Sequence, residues 1–385
     1  MKILFVSSGY PTKEKPQYCI FLEQQAQALM RNGNHVDVLY VDNSSEKDFF
    51  SEWYVRNGIQ IYKWEIKRNY LKFYLVFQES NEDVENFLVK NQYDVVSFHF
   101  GNIAPFSTIC KTCKKIGTKS VMHFHGLNVW KDYYKSFKGR VYEYYYSIRK
   151  KIFLNEVDAI VGVSELVCEK IAERVLDNKI YKVYNGVNLE LFSESDEIKD
   201  NHTFRIICVA NLIKIKGQIY LLEAAARCLR KGYGLEMIFV GDGPDKEKLM
   251  KRAKDLAIEQ QVTFLGTLKY EEVAKELKKS NLFILPSYFE AFGCVYAEAM
   301  SSGVVTCGCY NNGAEEIILH NTDGFLVREK NVDDIENVII QVMENPDKAR
   351  EIAKRGIKKA STFSWSNSAI FLEEVYKNVC SKDDK

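Results

Sequence analysis

The sequence predicts an α/β protein built from two doubly wound parallel sheets that follow each other along the chain. Its 385 residues exceed the roughly 250–300 residues that one hydrophobic core usually supports. Short apolar runs alternate with longer amphipathic ones, a pattern typical of parallel strands joined by crossover helices. The alternation stops at 191–203, where the chain is polar and aperiodic, and then resumes. We therefore expect domains at 1–190 and 204–364, a linker at 191–203, and a C-terminal helix at 365–385 that packs back on the first domain.

The elements of the first half are predicted from buried-strand runs and one clear amphipathic run. Strands are expected at Lys2–Ser7, His35–Val41, Asp94–His99, Ser120–Phe124 and Ala159–Val163. A helix is expected at Cys19–Asn32, and a second follows the third strand and ends at Gly117.

The second half repeats the pattern more regularly. Strands are expected at Phe204–Ala210, Glu236–Val240, Val262–Leu265 and Leu282–Leu285. Helices are expected at Gln218–Lys231, Asp245–Ala257, Tyr270–Lys279 and Trp365–Cys380. Ligands of such sheets bind outside the carboxyl ends of the strands, so the loops there are the first place to look for chemistry.

Composition excludes several classes of function. A formal net charge of +1 disfavours a nucleic-acid partner. The ten cysteines include one C-x-x-C pair, Cys110 and Cys113, without a second pair or histidines at zinc spacing, so we interpret them as thiols in a reducing compartment. No run is long enough for a signal peptide or a membrane span, and a cytoplasmic protein is expected.

The strongest chemical signal is a pair of carboxylates, Glu290 and Glu298, that follow the strand ending at Pro286 and Ser287. Glu290 lies in the loop. Backbone N–H groups of Phe292, Gly293 and Cys294 open a helix and form a ready anion site for a diphosphate. Glu298, one to two turns into the helix, is placed to reach the hydroxyls of a ribose.

Other strand ends add weaker signals. Lys216 and Gly217 open a helix, and the lysine can reach a diphosphate as a point charge. Gly241 belongs to a Gly-Asp-Gly-Pro turn after the next strand. Leu268 follows Gly266 and Thr267, whose backbone can face a base.

These motifs together resemble the second domain of the retaining glycosyltransferases of family 4, which have the GT-B fold of two Rossmann-like domains facing across a cleft. The matching segments are Ala210–Gly217, Gly241–Pro244, Phe264–Gly266, Pro286–Ala299 and Asn312–Ile317, and, more loosely, Tyr10-Pro11, His125-Gly126, Val163-Ser164 and Asn185–Asn188.

The resemblance implies roles for individual residues. Lys216 would hold the donor diphosphate, Glu298 the ribose, Glu290 the hydroxyls of the transferred sugar, and His125 the same sugar from the first domain. Gly9, Tyr10, Pro11 and Tyr18, in and after the first loop, are the acceptor-side candidates.

The sequence departs from the family pattern at several of these positions. Asn211 replaces an arginine beside the diphosphate, and Lys214 is the candidate substitute. Ala291 replaces a glycine, which matters only if that position needs a positive φ. The first loop carries Gln17-Tyr18-Cys19 in place of a glycine pair.

Asp-x-Asp does not occur in the chain, so a metal-held diphosphate is not indicated. We expect no metal and no cofactor, with a nucleotide-sugar donor, UDP being the expected nucleotide. The protein would then act by placement and charge stabilisation, moving a hexose to a saccharide or lipid-linked saccharide acceptor of surface polysaccharide or glycoconjugate synthesis.

The segment 131–154 mixes lysines and arginines with tyrosines. It suits a peripheral contact with the inner face of a membrane or a lipid pyrophosphate, and equally a solvated helix with a tyrosine-rich core side. Two further functions stay open at this stage: a catalytically silent nucleotide-sugar-binding subunit, and a nucleotide-sugar epimerase of the same fold.

Overall fold

The computed structural model describes residues 1–13, 15, 18–45, 49–67, 82–99, 103–126, 148, 150–173, 175, 179–194 and 203–381. The chain divides into two compact units, one formed by Met1–Asn185 with Trp365–Lys385 and the other by Gly186–Ser364. The division precedes the predicted linker because Val187 already belongs to the second unit, where its N–H donates to the carbonyl of Phe363 at 2.7 Å.

The first unit is built on an eight-stranded sheet of order β3-β4-β2-β1-β5-β6-β7-β8. Its strands are β1 Lys2–Ser7, β2 His35–Ser45, β3 Phe49–Arg56, β4 Ile59–Lys67, β5 Val95–Phe98, β6 Lys119–Phe124, β7 Ala159–Gly162 and β8 Ile180–Lys182. All neighbours are parallel except β3 and β4. Its helices are α1 Ile20–Arg31, α2 Glu82–Asn91, α3 Ile103–Ile116 and α4 Glu165–Ala172.

The hairpin β3–β4 departs from the all-parallel sheet that the sequence pattern predicts. Its turn is Asn57-Gly58, with φ of 49° and 79°, the combination that a two-residue type I′ hairpin requires. Tyr54 of β3 donates a hydrogen bond to the carbonyl of Pro11 at 2.5 Å. The hairpin therefore braces the loop that follows β1.

The second unit has a six-stranded parallel sheet of order β11-β10-β9-β12-β13-β14. Its strands are β9 Phe204–Val209, β10 Leu235–Val240, β11 Val262–Gly266, β12 Leu282–Ile284, β13 Val305–Cys309 and β14 Phe325–Val327. Its helices are α5 Gln218–Arg230, α6 Lys246–Asp255, α7 Tyr270–Lys278, α8 Cys294–Ser301, α9 Ala314–Ile317, α10 Val332–Glu344 and α11 Pro346–Ala360. Strand order reverses between β9 and β12, so the loops after these strands border the switch point of the sheet.

The last helix, α12 Trp365–Cys380, packs on the first unit. Its buried face, with Leu372 and Tyr376, shares a core with Leu22 and Leu29 of α1. The indole N–H of Trp365 also donates to Gln24 at 3.1 Å. The chain thus returns to its first unit after completing the second.

Backbone crowding in the second unit is greatest where the loops after β9, β10 and β12 meet. A Cβ on Gly241, whose φ is +127°, would lie 2.1 Å from the carbonyl oxygen of Ala210. A Cβ on Gly217, whose φ is +70°, would lie 2.2 Å from the carbonyl oxygen of Pro286. Both positions need glycine for conformation and for space.

We expect Gly241→Ala to lower the melting temperature of the second unit strongly, because both the positive φ and the backbone contact oppose a side chain. Gly232→Ala should cost only the roughly 1–2 kcal/mol of a left-handed alanine, since Gly232 has φ +90° but nothing within 4 Å of an added Cβ. Gly234, with an ordinary φ and open space, gives the neutral control. Thermal unfolding of the three variants measures the loss of melting temperature in each. Equal losses for Gly241→Ala and Gly232→Ala would contradict the role of backbone crowding at Gly241.

Candidate functional site

An ion pair between Lys216 and Glu290 lies at the carboxyl edge of the second unit's sheet. The Lys216 ammonium donates to Oε1 of Glu290, and the side chains are 18% and 13% exposed. The loops that carry them are tied by a hydrogen bond from the N–H of Tyr288 to the carbonyl of Ile215 at 3.1 Å. Two residues predicted from separate motifs are therefore brought into contact.

Two helices begin beside this ion pair, and glycine is the N-cap of each. Gly217, with φ 70°, precedes α5, and Gly293, with φ 85°, precedes α8. A glycine has no side chain that could cap the first N–H groups of a helix, so a ligand can take that role. The arrangement offers an anion one cation and two helix N-termini.

Phe292 and Ala291 shape the turn into α8. The Phe292 ring is buried and packs edge-on against Phe363, with centroids 5.6 Å apart, so its backbone is the part that a ligand can contact. Ala291 is not among the residues with positive φ. The replacement of the family glycine is therefore conformationally harmless.

The pair Asn312-Gly313 braces the Glu290 loop from the neighbouring strand end. Asn312 donates from its side-chain amide to the carbonyl of Ser287 at 2.8 Å, and the N–H of Gly313 donates to the carbonyl of Glu290 at 3.0 Å. A Cβ on Gly313 would lie 2.5 Å from the carbonyl oxygen of Ala291. These contacts explain why this motif accompanies the carboxylate pair.

Glu298, in the middle of α8, is buried, and no cation of the described residues pairs with it. The hydroxyl of Tyr270 donates to its Oε1 at 2.7 Å. Burial raises the pKa of the Glu298 carboxyl to about 7, and the Tyr270 hydrogen bond acts in the opposite direction. The sequence motifs identify Glu298 but not Tyr270, although Tyr270 lies two residues after Leu268 of the predicted base-facing loop.

The remaining donor candidates lie at the neighbouring strand ends. Gly241 donates its N–H to the carbonyl of Gly266 at 2.8 Å, which joins the loops after β10 and β11. Leu268 is half-buried, whereas Asn211 and Lys214 are exposed. The Asn211 carbonyl accepts a hydrogen bond from Gln218 at 3.0 Å. Lys214 as substitute for the family arginine stays a prediction.

His125 of the first unit belongs to a stack of three histidines at the ends of β5 and β6. Nδ1 of His99 and Nε2 of His125 share a hydrogen bond at 3.0 Å. His123 lies 4.4 Å from His99 by ring centroid. Burial lowers the pKa of all three, that of His125 to about 4. His125 is therefore a neutral hydrogen-bonding group near pH 7.

The three histidines bring ligand atoms within 4.8 Å of one another, which raises the question of a metal. A metal ion lies in the plane of each imidazole that binds it, and nitrogens around zinc are about 3.4 Å apart for Zn–N bonds of about 2.1 Å. Here the His99–His123 pair is tilted at 33°, and the other two pairs are stacked at 19° and 22°. The geometry fits hydrogen-bonded packing better than coordination, and the absence of a metal requirement stays a prediction.

The acceptor-side candidates differ in the solvent exposure of their side chains. Tyr10 is 1% exposed and belongs to the hydrophobic core, and Gly9 and Pro11 are buried beside it. Tyr18 is 44% exposed. Of the four, Tyr18 therefore has the side chain that a ligand can reach.

Most of the basic and aromatic segment at 131–154 lies outside the described residues, including 131–147 and 149. Lys150 is 2% exposed, with its ammonium 5.1 Å from the ring centroid of Phe124. Among the described residues, no helix has the length and apolar character needed to span a membrane. Cys110 and Cys113 are buried free thiols.

The raised pKa of Glu298 makes stability depend on pH. Burial raises the pKa of its carboxyl from the ordinary 4.5 to about 7 in the folded protein, so the folded state binds the extra proton and stability falls as pH rises through this window. We expect Glu298→Gln to stabilise the ligand-free protein at pH 8 by up to roughly 3 kcal/mol, and not at pH 4.5.

Thermal melts at both pH values measure this difference. The matched control is Glu344→Gln, since Glu344 also accepts a hydrogen bond from a tyrosine, Tyr233, but is exposed. A stabilisation by Glu298→Gln that is the same at both pH values would contradict the assignment.

Comparison with known proteins matches both units to one enzyme class. Residues 192–359 match the family model of glycosyl transferases group 1, and residues 20–191 match that of glycosyltransferase family 4. The two models together span the chain from the first helix of one unit to the end of the other.

Individual relatives agree with these models. An uncharacterized glycosyltransferase of Methanocaldococcus jannaschii is 25% identical over 98% of this chain and of its own. The N-acetyl-alpha-D-glucosaminyl L-malate synthase of Bacillus anthracis is 28% identical over 60% of this chain and 62% of its own. The structure of Anabaena HepE in complex with UDP superposes with a TM-score of 0.74 at 18% identity, covering 98% of this chain and all of that one. The chain belongs to the family 4 glycosyltransferases of the GT-B fold.

Proposed function

We propose that this glycosyltransferase moves a hexose from a UDP-sugar to a saccharide or lipid-linked saccharide, with retention at the anomeric carbon and without a metal. The observation that carries the proposal is the Lys216–Glu290 pair between two glycine-capped helix N-termini. It combines an anion site with a carboxylate that can accept hydrogen bonds from sugar hydroxyls. The proposed acceptor belongs to surface polysaccharide or glycoconjugate synthesis.

The diphosphate would bind to the Lys216 ammonium and to the N–H groups that begin α5 and α8. These groups bear positive charge or partial charge, so they supply the neutralisation that a metal gives elsewhere. Donor binding would draw Lys216 from Glu290 towards phosphate. Glu290 would then accept hydrogen bonds from the hydroxyls of the transferred sugar.

In the proposed transfer step the configuration at the anomeric carbon is retained. The bond between the anomeric carbon and the diphosphate oxygen breaks, and the acceptor oxygen bonds to that carbon on the same face. The acceptor proton passes to the departing diphosphate oxygen. Lys216 and the helix N-termini stabilise the charge that develops on the diphosphate.

UDP is favoured by the HepE complex, and Leu268 and its loop would contact the base. We place the enzyme in the cytoplasm. The acceptor would reach the first unit near Tyr18, and a lipid-linked acceptor would bring the chain to the inner face of a membrane.

We expect UDP to raise the melting temperature more than GDP, ADP or CMP do, with or without chelator. Saturation at about 100 times the dissociation constant adds about 2.7 kcal/mol to the binding-competent state. Lys216→Ala should weaken UDP binding on the order of 10–100-fold, because a charge-assisted contact is lost. Lys231→Ala is the control, since Lys231 also pairs with a glutamate, Glu336, in the same unit.

Three results would count against the proposal. If no nucleotide at millimolar concentration shifts the melting temperature, the proposed donor site is wrong. Loss of the UDP-induced shift in chelator would contradict metal independence. A product whose anomeric proton NMR signal shows inversion would contradict retention. Donor binding without transfer to any acceptor would favour the silent subunit, and donor conversion without acceptor would favour the epimerase.

A further inference from the structure

We infer that Tyr270 is the positioning residue of the nucleotide site: its hydroxyl fixes one oxygen of Glu298, so that the other oxygen is presented to the ribose hydroxyls of a nucleoside diphosphate. The inference rests on the proposed function and adds to it a residue outside the motifs.

The contact itself is specific to one oxygen. Tyr270 donates to Oε1 of Glu298 at 2.7 Å. Within the described part of the chain, Oε2 forms no hydrogen bond. A carboxylate held at one oxygen cannot rotate freely, and its second oxygen keeps acceptor capacity for two hydroxyl donors.

Tyr270 is held in place independently of Glu298. It is the first residue of α7, and its ring packs edge-on against Phe192 with centroids 4.9 Å apart. Phe192 is fully buried. The tyrosine is therefore anchored by packing and gives its hydroxyl a fixed direction.

The Tyr270 hydroxyl affects the protonation state of Glu298. Among the described residues, no charged side chain contributes to the shifted pKa of Glu298; burial raises it and the Tyr270 hydrogen bond lowers it. Glu290, by contrast, has Lys216 beside it. Tyr270 is thus the group that favours the ionised Glu298, the form that accepts from both ribose hydroxyls.

The test is Tyr270→Phe, which keeps the ring and its packing and removes the hydroxyl. Calorimetric titration with UDP, GDP and ADP identifies the tightest diphosphate, which is then compared with its 2′,3′-dideoxy counterpart between pH 5.5 and 8.5. We expect Tyr270→Phe to weaken the ribose form about tenfold at pH 7 and the dideoxy form less than twofold. The pH below which ribose-form affinity is lost should also rise, because the Glu298 carboxyl loses the hydrogen bond that favours its charge.

The control variant is Tyr233→Phe, which removes a tyrosine hydroxyl bonded to the exposed Glu344 of the same unit, and it should leave both affinities unchanged. In a Glu298→Gln background, Tyr270→Phe should no longer move the pH profile.

Equal weakening of the ribose and dideoxy forms, or an unchanged pH profile, would overturn the inference while leaving the donor site standing. Failure of the wild-type protein to bind any of the three diphosphates would overturn both.

Discussion

The loops after β9, β10 and β12 touch through their backbones, and the donor site proposed for the second unit depends on that contact. Gly217 and Gly241 each bring a backbone within 2.2 Å of where a Cβ would stand. This closeness places Lys216, carried by one loop, against Glu290, carried by another. It also starts two helices at one edge of the sheet, so that their N–H dipoles act on a common ligand. The glycines therefore allow the loops to approach each other, and the charged side chains provide the groups that would bind the ligand.

The two carboxylates of the motif differ in environment, and the difference matches their proposed tasks. Glu290 is neutralised by Lys216 and is free to exchange that partner for sugar hydroxyls when a diphosphate binds. Glu298 is buried in α8 without a cation from the described part of the chain, and burial of this kind raises the pKa of a carboxyl. A bare charge close to the diphosphate would repel it. The raised pKa of Glu298 limits this repulsion, and the Tyr270 hydrogen bond favours the ionised form that accepts from a ribose.

Sequence patterns predict the second unit better than the first, for physical reasons that particular residues show. β9, β10 and β12 are apolar runs, glycines mark the ends of β10 and β11, and Lys216, Glu290 and Glu298 were predicted from their positions after β9 and β12. The β3–β4 hairpin was missed although Asn57-Gly58 signals it, because its flanking runs mix charged and aromatic residues. Tyr270 could not be predicted as a partner of Glu298, since the two residues are 28 positions apart and meet only in the tertiary structure. The burial of Tyr10 likewise depends on its tertiary neighbours.

In the first unit, residues that are distant in sequence surround His125, a candidate site residue of that unit. His125 is hydrogen-bonded to His99, and His99 stacks on His123. Tyr376, from the last helix of the chain, donates to Ser97 at 2.9 Å and lies 3.3 Å from His123. That helix is the last of the chain, so the groups that surround His123 come from both sequence segments of the first unit. The return of α12 therefore supplies a polar contact to the histidine cluster to which the half-buried His125 belongs.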